Sequence, residues 1–169
     1  FSLEKLTWLN GEHIRRLDTQ KFHELALKYY PEGVRHLDLE KISRLIQIRI
    51  ERFTEIPTMV KFLYELPDYN AALFENPKSK STLQSSREIL QEVIPLLESM
   101  QEWTNESLFT ALKDFAAAHG YKIGTVMWPI RTALSGLFAS PGGATELADL
   151  LGKDETLRRL KIGLEKLQL

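Results

Sequence analysis

Arg49 is the side chain whose position most needs a chemical reason. Apolar residues at Ile42, Ile46, Phe53, Ile56, Val60 and Leu63 predict one helical segment opened by Asp38. On that helix Arg49 falls between Ile46 and Phe53, on the apolar stripe rather than with Glu51 and Glu55. Two accounts of it stand open. Its aliphatic stem covers the edge of a core while the guanidinium reaches water or a carboxylate. Alternatively, the stripe emerges there from its protein cover, and the planar donor fork grips a base edge or a phosphate at two points. Trp128 poses a similar choice between a core aromatic and an exposed indole that stacks on an unpaired base, a contact worth roughly 1–3 kcal/mol. Other chemistries lack their residues. The four histidines, at 13, 23, 36 and 119, have neither the i, i+4 spacing nor the cysteine company of a zinc site. No glycine-rich loop is followed by Lys-Ser/Thr, so a phosphate-cradling P-loop is excluded, and no pattern sets a base beside a nucleophile. The sequence offers no catalytic centre and no metal site.

The elements that must position these residues are helical. Asn10-Gly11 predicts a break between short helices over Leu3–Leu9 and Glu12–Leu17. Asp18 opens a helix to about Tyr29, which Pro31 and Gly33 terminate. The Asp38 segment carries a kink at Pro57 and ends before Pro67. The polar, breaker-rich Glu75-Asn76-Pro77-Lys78-Ser79-Lys80-Ser81 places a domain boundary, giving units 1–76 and 77–169. Ser85 and Glu88 have capping-box spacing for the next helix, which Pro95 bends. Thr104 or Asn105 caps another, with Leu108, Leu112 and Phe115 on one face, and His119-Gly120 stops it. Further helices run from Gly124 to Leu137, after Gly143, and from Asp154, the last striped by leucines at 157, 160, 164 and 167. Pro129 suits a first helical turn, where its missing N–H costs nothing. No period-two alternation predicts a strand. The expected architecture is all-α, two small helical bundles in tandem.

Composition bounds the function. With 169 residues, 43% of them hydrophobic, the chain can bury a core. It has no cysteine, which excludes disulfides and thiolate metal sites. No membrane-length apolar run is present, and a soluble, cytoplasmic monomer is expected. The chain starts at Phe1 rather than methionine, within a helical pattern, and reads as a fragment. A formal net charge of −1 argues against a nonspecific DNA binder, so a nucleic-acid site has to be local. Basic residues gather at Arg15-Arg16, at Arg44, Arg49 and Arg52, and at Lys153, Arg158, Arg159, Lys161 and Lys166. Those of the last helix read as a solvated face, with Glu155 and Arg159 paired at i, i+4.

Two stretches resemble one known family. Glu4-Lys5-Leu6-Thr7-Trp8-Leu9-Asn10-Gly11-Glu12-His13-Ile14-Arg15 looks like the segment following the catalytic half of bacterial-type glutamyl-tRNA synthetases. Near the other end come Trp128-Pro129-Ile130-Arg131, Leu134-Ser135-Gly136, Ser140-Pro141-Gly142-Gly143-Ala144 and Leu150-Leu151-Gly152-Lys153-Asp154-Glu155. That series resembles the part of these enzymes that reads the anticodon. The resemblance implies an anticodon-binding, all-α chain whose partner is the anticodon loop of tRNA(Glu), with neither membrane nor DNA as a partner.

The resemblance also implies a site. Arg49 matches the arginine that recognises the third anticodon base in discriminating members. Trp128 and Arg131 fall at the anticodon-facing end of their helix. Ser140, Pro141, Gly142, Gly143 and Ala144 match a loop whose backbone and small side chains contact the bases, a sensible use of glycine because it lets main chain approach a splayed base. The His-Ile-Gly-His-like and Lys-Met-Ser-Lys-Ser-like motifs of the catalytic half are missing. ATP and Mg2+ therefore belong to the parent enzyme, and the fragment needs no cofactor. A second class of function fits the near-neutral charge equally: a helical module that binds a partner helix in an apolar groove.

Overall fold

The computed structural model describes residues 3–168. They are all-α: among them there is no strand, only an isolated antiparallel bridge between Asn76 and Ser81. The chain divides between Glu65 and Leu66 into two compact units. The division lies ahead of the 76/77 position, because the breaker-rich stretch forms two 3-10 turns, Ala71–Phe74 and Pro77–Ser79, that pack on helices of the second unit. Among the described residues no helix is long and apolar enough to cross a membrane.

The first unit contains α1 (Leu3–Arg16), α2 (Thr19–Ala26), α3 (Leu39–Ile46) and the short α4 (Ile56–Val60). Its core gathers Ile14, Phe22, Val34, Ile42, Ile46, Ile50, Ile56 and Val60. The Phe53 ring stacks on Phe22 and Tyr29 at centroid distances of 5.5 and 5.6 Å. The buried Gln47 amide donates to the carbonyls of Ile14 and Leu17, closing the end of α1. Two expectations fail here. The helix α1 runs unbroken through Asn10-Gly11, because Gly11 is buried and a Cβ on it would meet the Glu51 Cγ at 3.0 Å. The Asn10 side chain hydrogen-bonds the Glu51 carbonyl, so this turn-forming pair serves a tertiary contact instead.

The Asp38 segment is also not one kinked helix. Asp38 caps α3, accepting from the Lys41 N–H at 3.2 Å, but the helix stops at Ile46. The chain restarts because the Glu55 carboxylate accepts the N–H groups of both Glu51 and Arg52, at 2.7 and 2.6 Å. Apolar spacing of seven between Ile46 and Phe53 is thus kept by a turn, which periodicity cannot distinguish from two helical turns.

The second unit packs α5 (Leu83–Ser99), α6 (Asn105–Ala118), α7 (Ile123–Ser135), α8 (Ala144–Leu151) and α9 (Lys153–Leu167), with α7 touching the other four. Reciprocal caps start two of these helices: Thr82 with Ser85 on α5, three residues before the expected Ser85 and Glu88 pair, and Thr104 with Ser107 on α6. Pro129 lies inside α7 rather than in its first turn, and Pro95 lies inside α5. Each removes the donor that would have met the carbonyl four residues earlier. Gly136, at φ 65°, ends α7 in the left-handed conformation, and a Cβ there would meet Pro67 and Tyr69.

The last helix departs most from its expected solvated face. Arg159 is 1% exposed and lies among the largest buried side chains. Its Nη1 donates to the Leu134 carbonyl at 2.7 Å, and its Nε to Glu155 at 2.7 Å. A cation at the C-terminal end of α7 satisfies a carbonyl the helix cannot satisfy itself and complements the helix dipole. Arg159 therefore anchors the helix that carries Trp128 and Arg131.

Candidate nucleic-acid interface

Arg49 belongs to the first unit and Trp128, Arg131 and residues 140–144 to the second. Arg49 lies in the turn after α3, exposed, and not on an apolar stripe. Its backbone N–H donates to Ile46 at 2.9 Å and its Nη1 to the Leu45 carbonyl at 2.5 Å. That bond folds the side chain along the end of α3, where its cation opposes the carbonyl end of the helix dipole. Its neighbour Arg52 reaches back to the Thr7 hydroxyl of α1 at 2.6 Å.

Trp128 is 8% exposed, which settles its choice in favour of the core. The indole N–H donates to the Leu73 carbonyl at 3.1 Å. Its ring meets Phe138 edge-on at 5.5 Å and carries the Arg131 guanidinium 4.8 Å from its centroid. The indole is thus covered by the protein's own side chains rather than presented as an exposed stacking face. Arg131 also donates through Nη2 to the Phe138 carbonyl at 2.6 Å, tying α7 to the loop that follows it.

The loop from Ser140 to Ala144 connects α7 to α8. Ser140, Pro141 and Gly142 are buried; the Ser140 hydroxyl donates to the Gly142 carbonyl at 2.9 Å, and Gly142 has φ 99°, a conformation for which glycine is suited. The Gly143 N–H is taken by Glu146 Oε1 at 2.9 Å, which caps α8. Gly143 and Ala144 nevertheless line a cleft of about 470 Å3 that also takes in Trp128 and Arg131. Four of the singled-out residues therefore share one cavity, although they come from two segments of the sequence. Ser140, Pro141 and Gly142 shape the loop behind it rather than lining it.

The same cleft contains residues that the sequence reading passed over. Phe109 on α6 is 44% exposed and lines it, as do Asn105 at the start of α6 and Gly124 at the start of α7. Phe109 carried a signal: it is an aromatic adjacent to, but off, the Leu108, Leu112 and Phe115 stripe. Asn105 and Gly124 carried none, since capping and helix starts account for both.

A family model described as an anticodon binding domain matches residues 21–164. The chain belongs to the anticodon binding domain family. The resemblance carried by the two sequence segments thus holds at family level, and this anticodon binding domain is all-α as expected. It is 44% identical over 171 residues to the glutamate–tRNA ligase of Clostridium acetobutylicum, covering 99% of this chain. It is 46% identical over 169 residues to the glutamate–tRNA ligase of Clostridium botulinum strain Hall, again over 99% of this chain. The domain spans 35% of the length of each of these relatives. Its fold is similar to a crystal structure of a glutamate tRNA ligase from Elizabethkingia meningosepticum in complex with its amino acid. The TM-score is 0.78 and the identity 24%, over 98% of this chain and 32% of that one.

Proposed function

We propose that this anticodon binding domain reads the anticodon loop of tRNA(Glu) for a glutamate–tRNA ligase and performs no chemical step by itself. The observation that carries this reading is the single cleft lined by Trp128, Arg131, Gly143 and Ala144 in a chain of this family. Within it, Arg131 supplies a guanidinium fixed by Trp128 and Phe138, while the small residues of the 140–144 loop bring main chain close to a splayed base. Ser140, Pro141 and Gly142 set the backbone of that loop. Trp128 acts from below as the support of Arg131. Arg49, on the first unit, selects the third anticodon base.

The remainder of the ligase, outside the span of this chain, would bind ATP and Mg2+ and attach glutamate to the tRNA. The chain acts in the cytoplasm as a monomer. Titration with tRNA(Glu) transcripts altered only in the anticodon tests the reading directly. Affinity should fall for the altered transcripts and weaken with added salt, because phosphates accompany every base contact. Affinity indifferent to the anticodon would overturn the proposal, and binding of apolar helices instead would favour a protein-interaction module.

Arg49→Gln gives a narrower expectation. A two-point grip on a base edge discriminates by about 1–3 kcal/mol, and glutamine cannot reproduce the cationic fork. The variant should therefore bind transcripts differing at the third anticodon base with nearly equal affinity. Retained preference at that base would remove Arg49 from the site.

A further inference from the structure

The turn that leads into α5 holds a residue its backbone does not favour. Lys80 has φ 52° and ψ 38°, and among the described residues it is the one non-glycine in the left-handed region. The Ser81 N–H donates to the Asn76 carbonyl at 3.0 Å and the Lys80 N–H to the Pro77 carbonyl at 3.1 Å. This pair of bonds closes the Pro77–Ser79 turn in the manner that favours glycine at the position of Lys80. The chain follows that preference elsewhere: Gly120 after α6 and Gly136 at the end of α7 have φ 72° and 65°. Lysine strains the backbone here without a packing gain, because its side chain is exposed. Charge is what lysine adds that glycine cannot.

The turn is also held firmly beside the cleft of the second unit. The buried Asn76 accepts the Lys78 N–H at 3.1 Å and donates to the Ser79 hydroxyl at 3.2 Å. The Thr125 hydroxyl of α7 donates to the Ser79 carbonyl at 2.6 Å, and Ser79 lines the cleft. Lys78 and Lys80 therefore flank a cleft residue in the chain. Lys122 stands at the start of α7, two residues before Gly124, and Lys113 lies one turn of α6 beyond Phe109 on the same face. Gly124 and Phe109 line the cleft as well. All four lysines are exposed, and among the described residues none of them pairs with a carboxylate. By contrast, Lys153, Lys161 and Lys166 of the same unit are engaged by carbonyls or carboxylates of the chain itself. Glu146, the carboxylate that lines the cleft, is bonded to the Gly143 N–H. In a chain of net charge −1, four unpaired cations along one rim are a local surplus.

We propose that Lys78, Lys80, Lys113 and Lys122 form a phosphate track at the rim of the cleft, gripping the sugar-phosphate backbone of the anticodon arm without reading its sequence. The proposal rests on the anticodon-reading function stated above and adds to it the contacts that position the RNA. Ammonium groups suit this task, because a point charge on a flexible stem accepts a phosphate from many directions.

The full chain is compared as wild type, Lys80→Gln, Lys80→Gly, Lys80→Arg and the triple variant Lys78→Gln/Lys113→Gln/Lys122→Gln. Each is titrated at several salt concentrations with tRNA(Glu), with transcripts altered in the anticodon, and with the anticodon stem-loop alone. Lys80→Gln and Lys80→Gly should each weaken binding roughly 3- to 10-fold. Each should also lower the slope of log affinity against log salt by about 0.7–0.9, the share of one phosphate, and the triple variant by about 2–3. Lys80→Arg should keep both affinity and slope. Only Lys80→Gly should raise the melting temperature, by roughly 2–4 °C, so that it binds less while folding better, which loss of a structural residue would not produce. The factor lost should be the same for every anticodon and for the stem-loop. Unchanged affinity and slope in Lys80→Gln and the triple variant overturn the track and leave the anticodon reading intact. A loss confined to one anticodon makes the contact a base contact, and a loss confined to whole tRNA moves it out of the anticodon arm; either overturns the track. Wild-type affinity indifferent to the anticodon overturns the underlying reading instead.

Discussion

Arg159→Met lowers the unfolding free energy by about 3 kcal/mol, the low end of the cost of breaking a buried ion pair from one side. Methionine matches the length of the arginine stem but returns none of its hydrogen bonds. The Leu134 carbonyl loses its donor at the buried end of α7, and Glu155 loses one of its two arginines. The cost stays at the low end because Glu155 is partly exposed and keeps Arg158 at 2.7 Å. Urea denaturation measures the effect as a lower midpoint at unchanged slope. A shift within about 0.5 kcal/mol, typical of surface substitutions, would mean that Arg159 contributes no more than a solvated side chain. The end of α7 carries Arg131, so the variant should also lose anticodon affinity under conditions where it remains folded.

The same cluster sets an acid limit. Hydrogen bonds from Arg158, and then from Arg159, hold the Glu155 carboxyl at about 2, against its ordinary 4.5. A carboxyl depressed in the folded state contributes stability that is fully present above its unfolded value. Its contribution is then lost as pH falls from about 4.5 toward 2. Burial works against the Arg159 charge while Glu155 restores it, so the two residues depend on each other. Stability followed across that window should fall less steeply in Arg159→Met than in wild type. Equal slopes would show that Arg158 alone sets the Glu155 titration.

Gly163→Leu should destabilise the second unit by about 2 kcal/mol, within the usual cost of overpacking a filled core. Gly163 lies in the interior of α9, where glycine by itself is a poor choice. A Cβ there would stand 2.9 Å from the Ala133 Cβ, 3.2 Å from Phe74 Cζ and 3.3 Å from the Tyr69 hydroxyl. Ala133 belongs to α7, so the clash separates two helices rather than turning one flexible side chain. Even Gly163→Ala should destabilise, while Gly124→Ala should stabilise by about 0.5–1 kcal/mol, because only the second finds empty space. Thermal melts of the two alanine variants decide the point: shifts of the same sign would show that helix propensity, not interhelical distance, governs both.

The helical class was legible throughout, since caps, breakers and apolar spacing are local signals. Thr104, the stop at His119-Gly120, the starts of α7 and α8 and the onset of α9 all follow from neighbouring residues. The Asp38 segment departs from one helix because a turn over residues 47–49 keeps Ile46 and Phe53 on the packed side at helix-like spacing. The Asn10-Gly11 pair forms no break because its local turn preference is weaker than the contacts that Asn10 and Gly11 make with Glu51. Arg159 reversed its expected exposure, and the choice left open for Trp128 fell to the core, for a related reason: burial belongs to the packing of elements far apart in sequence. Leu73 lies 55 residues from Trp128, and Leu134 lies 25 residues from Arg159.

The sequence by itself determined that this chain is all-α and that its motifs are those of an anticodon binding domain. These are properties of composition, local periodicity and residue order, which survive without coordinates. Only the tertiary structure decided which singled-out residues share a cavity. It placed Trp128 and Arg159 in the core and revealed Phe109, Asn105 and Gly124 around one cleft. A cavity is defined by the separation of side chains from different helices.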